Sequence, residues 1–311
     1  MAFFSVLIPV YNQVGKMDAC FESLEGQTFT DLEIIMVDDG SADGSYEMLC
    51  GYAEKDSRIK VLRQPENSSL IGARYAGMQH ATGEYVFLLD SDDSIELNTF
   101  EILHNALIKN YPDILRFGLK KVPSGEVILP ARGDDLLGLL FSGEVPPSVW
   151  KNVYKRTLTD RVVAETKPFY CNMGEDVYFS TVFFTFAKTS EAIDDVLYKY
   201  QCGVGMTSSE DTSRFTFEKF RRTLNDTIVS AEHIMSFITG FAPERAGEAE
   251  AACRRMEKFV FLQHSIYEKD LKKVVEYAYE YRRLGLEEVY DDICNNSLRK
   301  IILYYAGYYQ P

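Results

Sequence analysis

Apolar-rich runs of strand length recur at residues 3–9, 32–37, 59–63 and 85–89. The segments between them have a different rhythm. In residues 16–28 the apolar positions Met17, Cys20, Phe21 and Leu24 follow the helical period, and residues 45–55 and 69–82 read as two further helices. Strand and helix thus alternate four times in about 90 residues with short connections, the pattern of βαβ units on a parallel sheet. Right-handed crossovers bring the loops after such strands to one edge. Pro9-Val10-Tyr11-Asn12, Asp38-Asp39-Gly40-Ser41 and Asp90-Ser91-Asp92-Asp93 are expected to meet there.

Helical spacing returns over residues 99–109. Residues 113–121 and 126–129 read as strands around a turn at Pro123-Ser124-Gly125. A loop at Asn172-Met173-Gly174 precedes a helix over 175–187, and 192–201 reads as a strand with Tyr198 and Tyr200 on one side. After Ser213 the pattern is helical throughout, over 215–241, 244–269, 271–284 and 286–309, with breaks at Pro243 and near Gly285. An α/β region over 1–210 followed by an all-helical region over 211–311 is expected.

Composition narrows the function classes. With 311 residues, 46% of them hydrophobic, the chain can bury a sizeable core, and a net charge of −14 argues against nucleic-acid partners. Residues 1–96 hold 6 Lys/Arg against 17 Asp/Glu, so the acidic excess lies in the segment with the convergent loops, while residues 212–311 balance at 15 against 15. Six scattered cysteines without a C-x-x-C pair fit reduced thiols in a cytoplasmic protein, and the four histidines form no ligand spacing. The N-terminus lacks the basic region and cleavage site of a signal peptide, and no apolar run approaches the roughly 20 residues of a membrane span. A cytoplasmic protein, soluble or peripheral at the inner face of the membrane, is expected.

The run Tyr85-Val86-Phe87-Leu88-Leu89 is unbroken by polar residues, as suits a strand buried on both faces, and it ends in Asp90-Ser91-Asp92-Asp93. Asp90 and Asp92 would repel each other unless a cation sits between them or solvent screens them. A hard divalent ion with a diphosphate on its other face satisfies both, and oxygen ligands favour Mg²⁺ or Mn²⁺. The plain alternative is an Asp-rich turn capping the next helix. No G-x-G-x-x-G follows the first strand and no Walker-type lysine loop is present, which weighs against dinucleotide and P-loop sites. Glu175-Asp176, in the first turn of a helix, suit the helix dipole as caps or serve chemistry as a base.

Ser5-Val6-Leu7-Ile8-Pro9-Val10-Tyr11-Asn12, Val37-Asp38-Asp39-Gly40-Ser41, Gly72-Ala73-Arg74-Tyr75-Ala76-Gly77, and Ala81-Thr82-Gly83-Glu84-Tyr85 with Leu89-Asp90-Ser91-Asp92-Asp93 resemble the family 2 glycosyltransferases of the GT-A fold. Ser148-Val149-Trp150-Lys151-Asn152-Val153-Tyr154-Lys155-Arg156 and Gly174-Glu175-Asp176-Val177-Tyr178-Phe179 resemble that family's later segments. The resemblance covers about residues 4–205. It implies a Rossmann-like, mainly parallel central sheet with flanking helices over 1–210, a nucleotide-sugar half over about 1–95 and an acceptor half over about 96–210. It also implies that Asp39 or its neighbour Asp38 accepts from the imide N–H of uracil, that Pro9 and Tyr11 pack around the base, and that Arg74 contacts the nucleotide. For Asp38 a turn role stands equally, for Pro9 a structural one, and for Arg74 a surface salt bridge. Asp92 is implied as direct metal ligand, Asp90 as contact to a ribose hydroxyl or a metal-bound water, and Ser91 as part of the nucleotide contact. Asp93 either orients Asp92 or begins the next helix. Asp176 is implied as the general base, with Glu175 holding the loop or helping to bind acceptor. Where related sequences have a Gly-Gly-Leu stretch, this one reads Glu66-Asn67-Ser68-Ser69-Leu70, which narrows backbone freedom beside the nucleotide.

The resemblance thus implies an inverting, metal-dependent transfer of a sugar from a UDP-sugar donor to a hydroxyl of a saccharide or lipid-linked glycan, in cell-surface polysaccharide or glycan biosynthesis. Sugar-nucleotide nucleotidyltransferases share the architecture, but the basic Gly-rich loop they carry after strand 1 is missing at Pro9-Val10-Tyr11-Asn12. A catalytically degenerate scaffold acting through its helical region is the alternative from another class. Trp150 lines an acceptor pocket or fills core, residues 203–209 form a segment comparable to the family's donor lid, and the Tyr-rich C-terminal helices are a candidate bundle, homodimer surface or, at residues 298–305, membrane contact.

Overall fold

The structure, a computed structural model, describes residues 2–203, 216–265, 268 and 270–298. The chain folds as two compact units, residues 1–209 and 210–311. In the first, strands β1 (Phe4–Val10), β2 (Leu32–Asp38), β3 (Ile59–Arg63) and β4 (Tyr85–Leu88) alternate with helices α1 (Asp18–Glu25), α2 (Ser45–Lys55) and α3 (Ser69–His80). Every residue of β1, β2 and β4 is buried, which explains why these strands show no polar alternation. They run parallel in the order β3-β2-β1-β4, with Val6 opposite Ile34 on one side and Phe87 on the other. Pro9 is tolerated inside β1 because pairing with β4 ends at Leu7 opposite Leu88.

One charged residue sits inside this apolar sheet. Glu33 of β2, 6% exposed, accepts from Ser5 Oγ at 2.5 Å, Thr82 N at 2.6 Å, Thr82 Oγ1 at 2.8 Å and Gly83 N at 3.1 Å, and pairs with Lys60 Nζ at 2.7 Å. It joins β1, β2, β3 and the turn into β4 at the edge opposite the convergent loops.

The unit continues with β5 (Ser94–Ile95), α4 (Thr99–Asn110), β6 (Ile114–Val122), β7 (Val127–Ile128), α5 (Leu136–Ser142), β8 (Asn152–Lys155), α6 (Arg156–Glu165), α7 (Glu175–Phe186) and β9 (Ser190–Gln201). The sheet extends β4-β8-β6-β9-β5, with β7 also on β6. β8 lies antiparallel between β4 and β6, so the nine-stranded sheet is mixed in its second half. Tyr198 and Tyr200 of β9 do share a side, where both pack on Trp150, with ring centroids 4.7 and 5.2 Å away. Trp150, 8% exposed, belongs to the core.

The second unit contains α8 (Phe217–Phe241), α9 (Ala246–Ser265), α10 (Leu271–Arg283) and α11 (Glu287–Asp292). Its core gathers Phe220, Leu224, Phe261, Tyr277, Tyr281 and Ile293. Tyr281 donates to the Glu257 carbonyl at 2.6 Å, so part of the tyrosine-rich pattern is core packing. Residues 204–209, in the segment compared with a lid, and 299–305, in the candidate membrane segment, lie outside the described residues. Among the described residues no helix is long and apolar enough to cross a membrane. All six cysteines are free thiols.

Candidate active site

The loops after β1 and β2 are laced together. Asn12 N donates to Ser41 Oγ at 3.0 Å, Ala42 N to Asn12 Oδ1 at 3.0 Å, and Gln13 N to Ser45 Oγ at 2.8 Å. Tyr11, 48% exposed, stands at this rim, and Pro9 is buried in the strand below. The adjacent aspartates differ. Asp38 is fully buried; its Oδ1 accepts from Ser41 N at 3.4 Å and its Oδ2 lies 3.6 Å from Arg63 Nε. Asp39 is turned to the loop before α3, where its Oδ1 accepts from Ser68 N at 2.8 Å and Ser68 Oγ at 2.5 Å. Burial raises the Asp39 carboxyl above the usual carboxylate range despite the two Ser68 hydrogen bonds. Gly40 permits this approach: at φ 71°, a Cβ there would lie 2.8 Å from the Glu66 carbonyl carbon.

Ser69, in the stretch that replaces the family's glycines, adopts φ 64°. Asn67 Oδ1 accepts from its amide, and its Oγ accepts from Cys171 N at 3.3 Å. The left-handed turn is therefore made without glycine, and it ties the start of α3 to the loop before α7.

Beyond β4, Asp90 is partly exposed, Ser91 is buried and Asp92 is half-buried. No helix follows directly, since α4 begins at Thr99 behind Asn98, so this aspartate cluster is not a helix cap. Asp93 neither begins a helix nor pairs with Asp92. It accepts from Tyr198 Oη at 2.7 Å and Gln201 N at 2.6 Å, tying the loop to β9, while Tyr198 Oη accepts from Asp90 N at 3.3 Å. Burial, then the charge of Asp90, pushes the Asp93 carboxyl up to about 8.

Arg74 of α3 is the centre of the arrangement. It is 1% exposed rather than a surface residue, and its Nη1 donates to Asp176 Oδ1 at 2.8 Å while Nη2 donates to Asp90 Oδ1 at 3.1 Å. Burial works against its charge, but Asp176, Asp90 and Glu175 outweigh it and hold the guanidinium firmly protonated. One side chain thus brings the loop after β4 and the first turn of α7 together. Gly174, at φ 87°, is the N-cap of α7 and offers no side-chain cap; the Asp176 carboxylate goes to Arg74. Burial raises the Asp176 carboxyl, with Arg74 opposing and Asp90 adding; burial and Asp176 raise Glu175.

The residues fit a divalent cation. Among the described residues no side chain pairs with the Asp92 carboxylate, which burial and Asp90 raise above the usual range. An uncompensated, half-buried carboxylate beside a second one is satisfied by a hard ion. Among the described residues no cluster of three or more His, Cys, Asp or Glu could hold a metal by itself. Asp92 and Asp90 would therefore supply a minority of the ligands, as suits an ion that keeps waters and substrate phosphate oxygens. Sequence reasoning missed Ser68, which holds Asp39, and Tyr198 as the tie to Asp90 and Asp93; the strand alternation that put Tyr198 beside Tyr200 was the one available signal.

The family model described as glycosyl transferase family 2 matches residues 5–173, more than half of the chain. The uncharacterized glycosyltransferase YibD of Escherichia coli (strain K12) is 31% identical over 211 residues, 63% of this chain and 60% of that relative. The chain spans 60% of the length of the curated relatives it matches over this range. S. aureus TarS 1-349 in complex with UDP-GlcNAc superposes with a TM-score of 0.59 at 18% identity, covering 100% of this chain and 93% of that one. The mannosyltransferase PcManGT from Pyrobaculum calidifontis, in complex with GDP-Man and Mn²⁺, gives 0.56 at 15% identity, covering 98% and 86%. At these identities the likeness is one of fold, and the fold is of the GT-A type. With its motifs, sheet order and family match in agreement, the chain belongs to glycosyl transferase family 2.

Proposed function

We propose that this chain is an inverting glycosyltransferase that moves a sugar from a UDP-sugar to a hydroxyl of a saccharide or lipid-linked glycan. The observation that carries the reading is the bridge from Asp90 through Arg74 to Asp176, which couples the diphosphate rim to a carboxylate suited to act as base. Asp39, an acceptor-only group when ionised, receives the imide N–H of uracil, with exposed Tyr11 flat against the base. Asp92 and Asp90 would hold Mg²⁺ or Mn²⁺, which would supply positive charge beside the departing diphosphate. Arg74 fixes Asp176 through one oxygen and leaves the other for the acceptor hydroxyl.

In the transfer, Asp176 takes the proton of the acceptor hydroxyl as its oxygen bonds to the anomeric carbon. The bond from that carbon to the diphosphate oxygen breaks, its electron pair leaving with UDP. Attack opposite the leaving group inverts the configuration. A carboxyl raised by burial is a stronger base than a free one, as this step needs. Glu175, beside it in the first turn of α7, helps to bind acceptor.

The test is metal-dependent release of UDP from a panel of UDP-sugars, with GDP-mannose as the contrasting nucleotide, in the parent, Asp92→Ala and Asp176→Ala. Turnover of a UDP-sugar that both substitutions abolish is expected. A chain inactive with every donor and acceptor is a scaffold, a reading opposed by the Arg74–Asp176 pair and by an Asp92 that has no side-chain partner among the described residues.

A further inference from the structure

Two buried cations in the first unit have no place in the mechanism above. Lys151, 5% exposed, ends the short turn Val149–Lys151 before β8, and among the described residues its ammonium has no hydrogen-bond or carboxylate partner. The next residue, Asn152, lies directly opposite Arg116 of β6. Arg116 is 4% exposed and donates through Nη1 only to the Ala131 carbonyl. Among the described residues its buried Nε has no partner, and neither does the buried Oδ1 of Asn152, whose Nδ2 is used by the Ser148 carbonyl and Tyr154 Oη. Buried charges are ordinarily paired, because desolvation is costly. Here the Arg116 Nε and the Asn152 Oδ1 are buried and unmatched among the described residues, next in the chain to a lysine with no partner among them.

Aromatic packing of the neighbouring residues links that position to β9 and to α7. Trp150, next to Lys151, packs on Tyr198, which donates to Asp93. Tyr154, two residues beyond Asn152, stacks on Phe183 of α7 at 4.0 Å between ring centroids. We propose that Lys151 and Arg116 form an anion subsite that binds a phosphate group carried by the acceptor. A compact ammonium and a guanidinium fork together bring two positive charges, which match a phosphate better than a singly charged carboxylate. Asn152 Oδ1 is then placed to accept from a hydroxyl next to the phosphate. Burial, then the Arg116 charge, brings the Lys151 ammonium down to about 8, while burial and the Arg132 charge lower Arg116. This inference rests on the acceptor side of the proposed transfer.

The test uses the full chain saturated with UDP and Mg²⁺, so that the donor site is filled. Glycerol phosphate, inorganic phosphate, glucuronate and glycerol are titrated by calorimetry into the parent, Lys151→Met and Lys151→Arg. Glycerol phosphate should bind the parent more tightly than glucuronate, lose tenfold or more in affinity in Lys151→Met, and stay within about threefold in Lys151→Arg. Without phosphate, Lys151→Met should melt at or above the parent temperature, since it removes an unpaired buried charge. Absence of saturable glycerol phosphate binding, equal binding by Lys151→Met, or binding of inorganic phosphate alone would each overturn the acceptor subsite. So would a drop in melting temperature in Lys151→Met, which would make the lysine structural. Hydrolysis of UDP-sugars by water is read separately: if it fails with every donor while glycerol phosphate binds, the transferase reading falls and the phosphate site stands.

Discussion

Arg74 Nη1 donates to Asp176 Oδ1 at 2.8 Å across 102 residues of sequence, and the same guanidinium holds Asp90. Removing it leaves two partly exposed carboxylates facing each other without the buried guanidinium between them. Arg74→Ala should cost about 3 kcal/mol or more in stability, as broken buried ion pairs do. Arg74→Lys keeps a charge but has no fork to span both partners, so it should fold better than the alanine variant and still lose about tenfold in turnover. Thermal melting and UDP release measure the two effects; an alanine variant that melts with the parent would remove Arg74 from this role.

Glu33 predicts an acid limit to stability. Burial alone would raise its carboxyl, but the hydrogen bonds of Lys60, Ser5 and Thr82 outweigh it and bring it down to about 2. A carboxyl lowered on folding stabilises above its unfolded value near 4.5, and that stability is lost as pH falls toward 2. The contribution is about 2 kcal/mol after allowance for the exposed Lys60. Glu33→Gln should lower the urea midpoint at pH 7 and flatten its fall between about pH 5 and 2. An unchanged midpoint would contradict the assignment.

Ser69 at φ 64° separates strain from hydrogen bonding. Ser69→Ala keeps the left-handed strain and removes the Ser69 Oγ acceptor from Cys171 N, so it should cost about 1 kcal/mol. Ser69→Gly loses the same bond but relaxes the turn, and should stay within about 0.5 kcal/mol of the parent. Denaturant titration of both variants decides the matter, and equal losses would mean that the turn stores no strain.

Much of the first unit was legible because its parallel strands are apolar throughout. A run such as Tyr85–Leu88 can hardly be anything but a buried strand, and carboxylates after β2 and β4 then had to share an edge. β8 was invisible: four residues, Asn152–Lys155, carry no period, and their antiparallel place between β4 and β6 is set by partners far away in sequence. The short α5 and the α6 that follows β8 directly escaped for the same reason. At the site, the aspartates were visible as a pattern, but the bond that joins them was not. Arg74 read as a nucleotide contact or a surface ion pair, because nothing local announces a partner 102 residues on. Glu33 had a signal that went unused: a lone acid inside a buried strand needs several donors, and Ser5, Lys60 and Thr82 were there to supply them.

The most direct test of the account is sugar transfer by Asp176→Asn, measured beside UDP binding. The amide keeps an oxygen for Arg74 to bond but cannot take a proton, so UDP affinity should stay within about twofold while transfer falls by about a hundredfold or more. Transfer at the parent rate would contradict the assignment of Asp176 as the base.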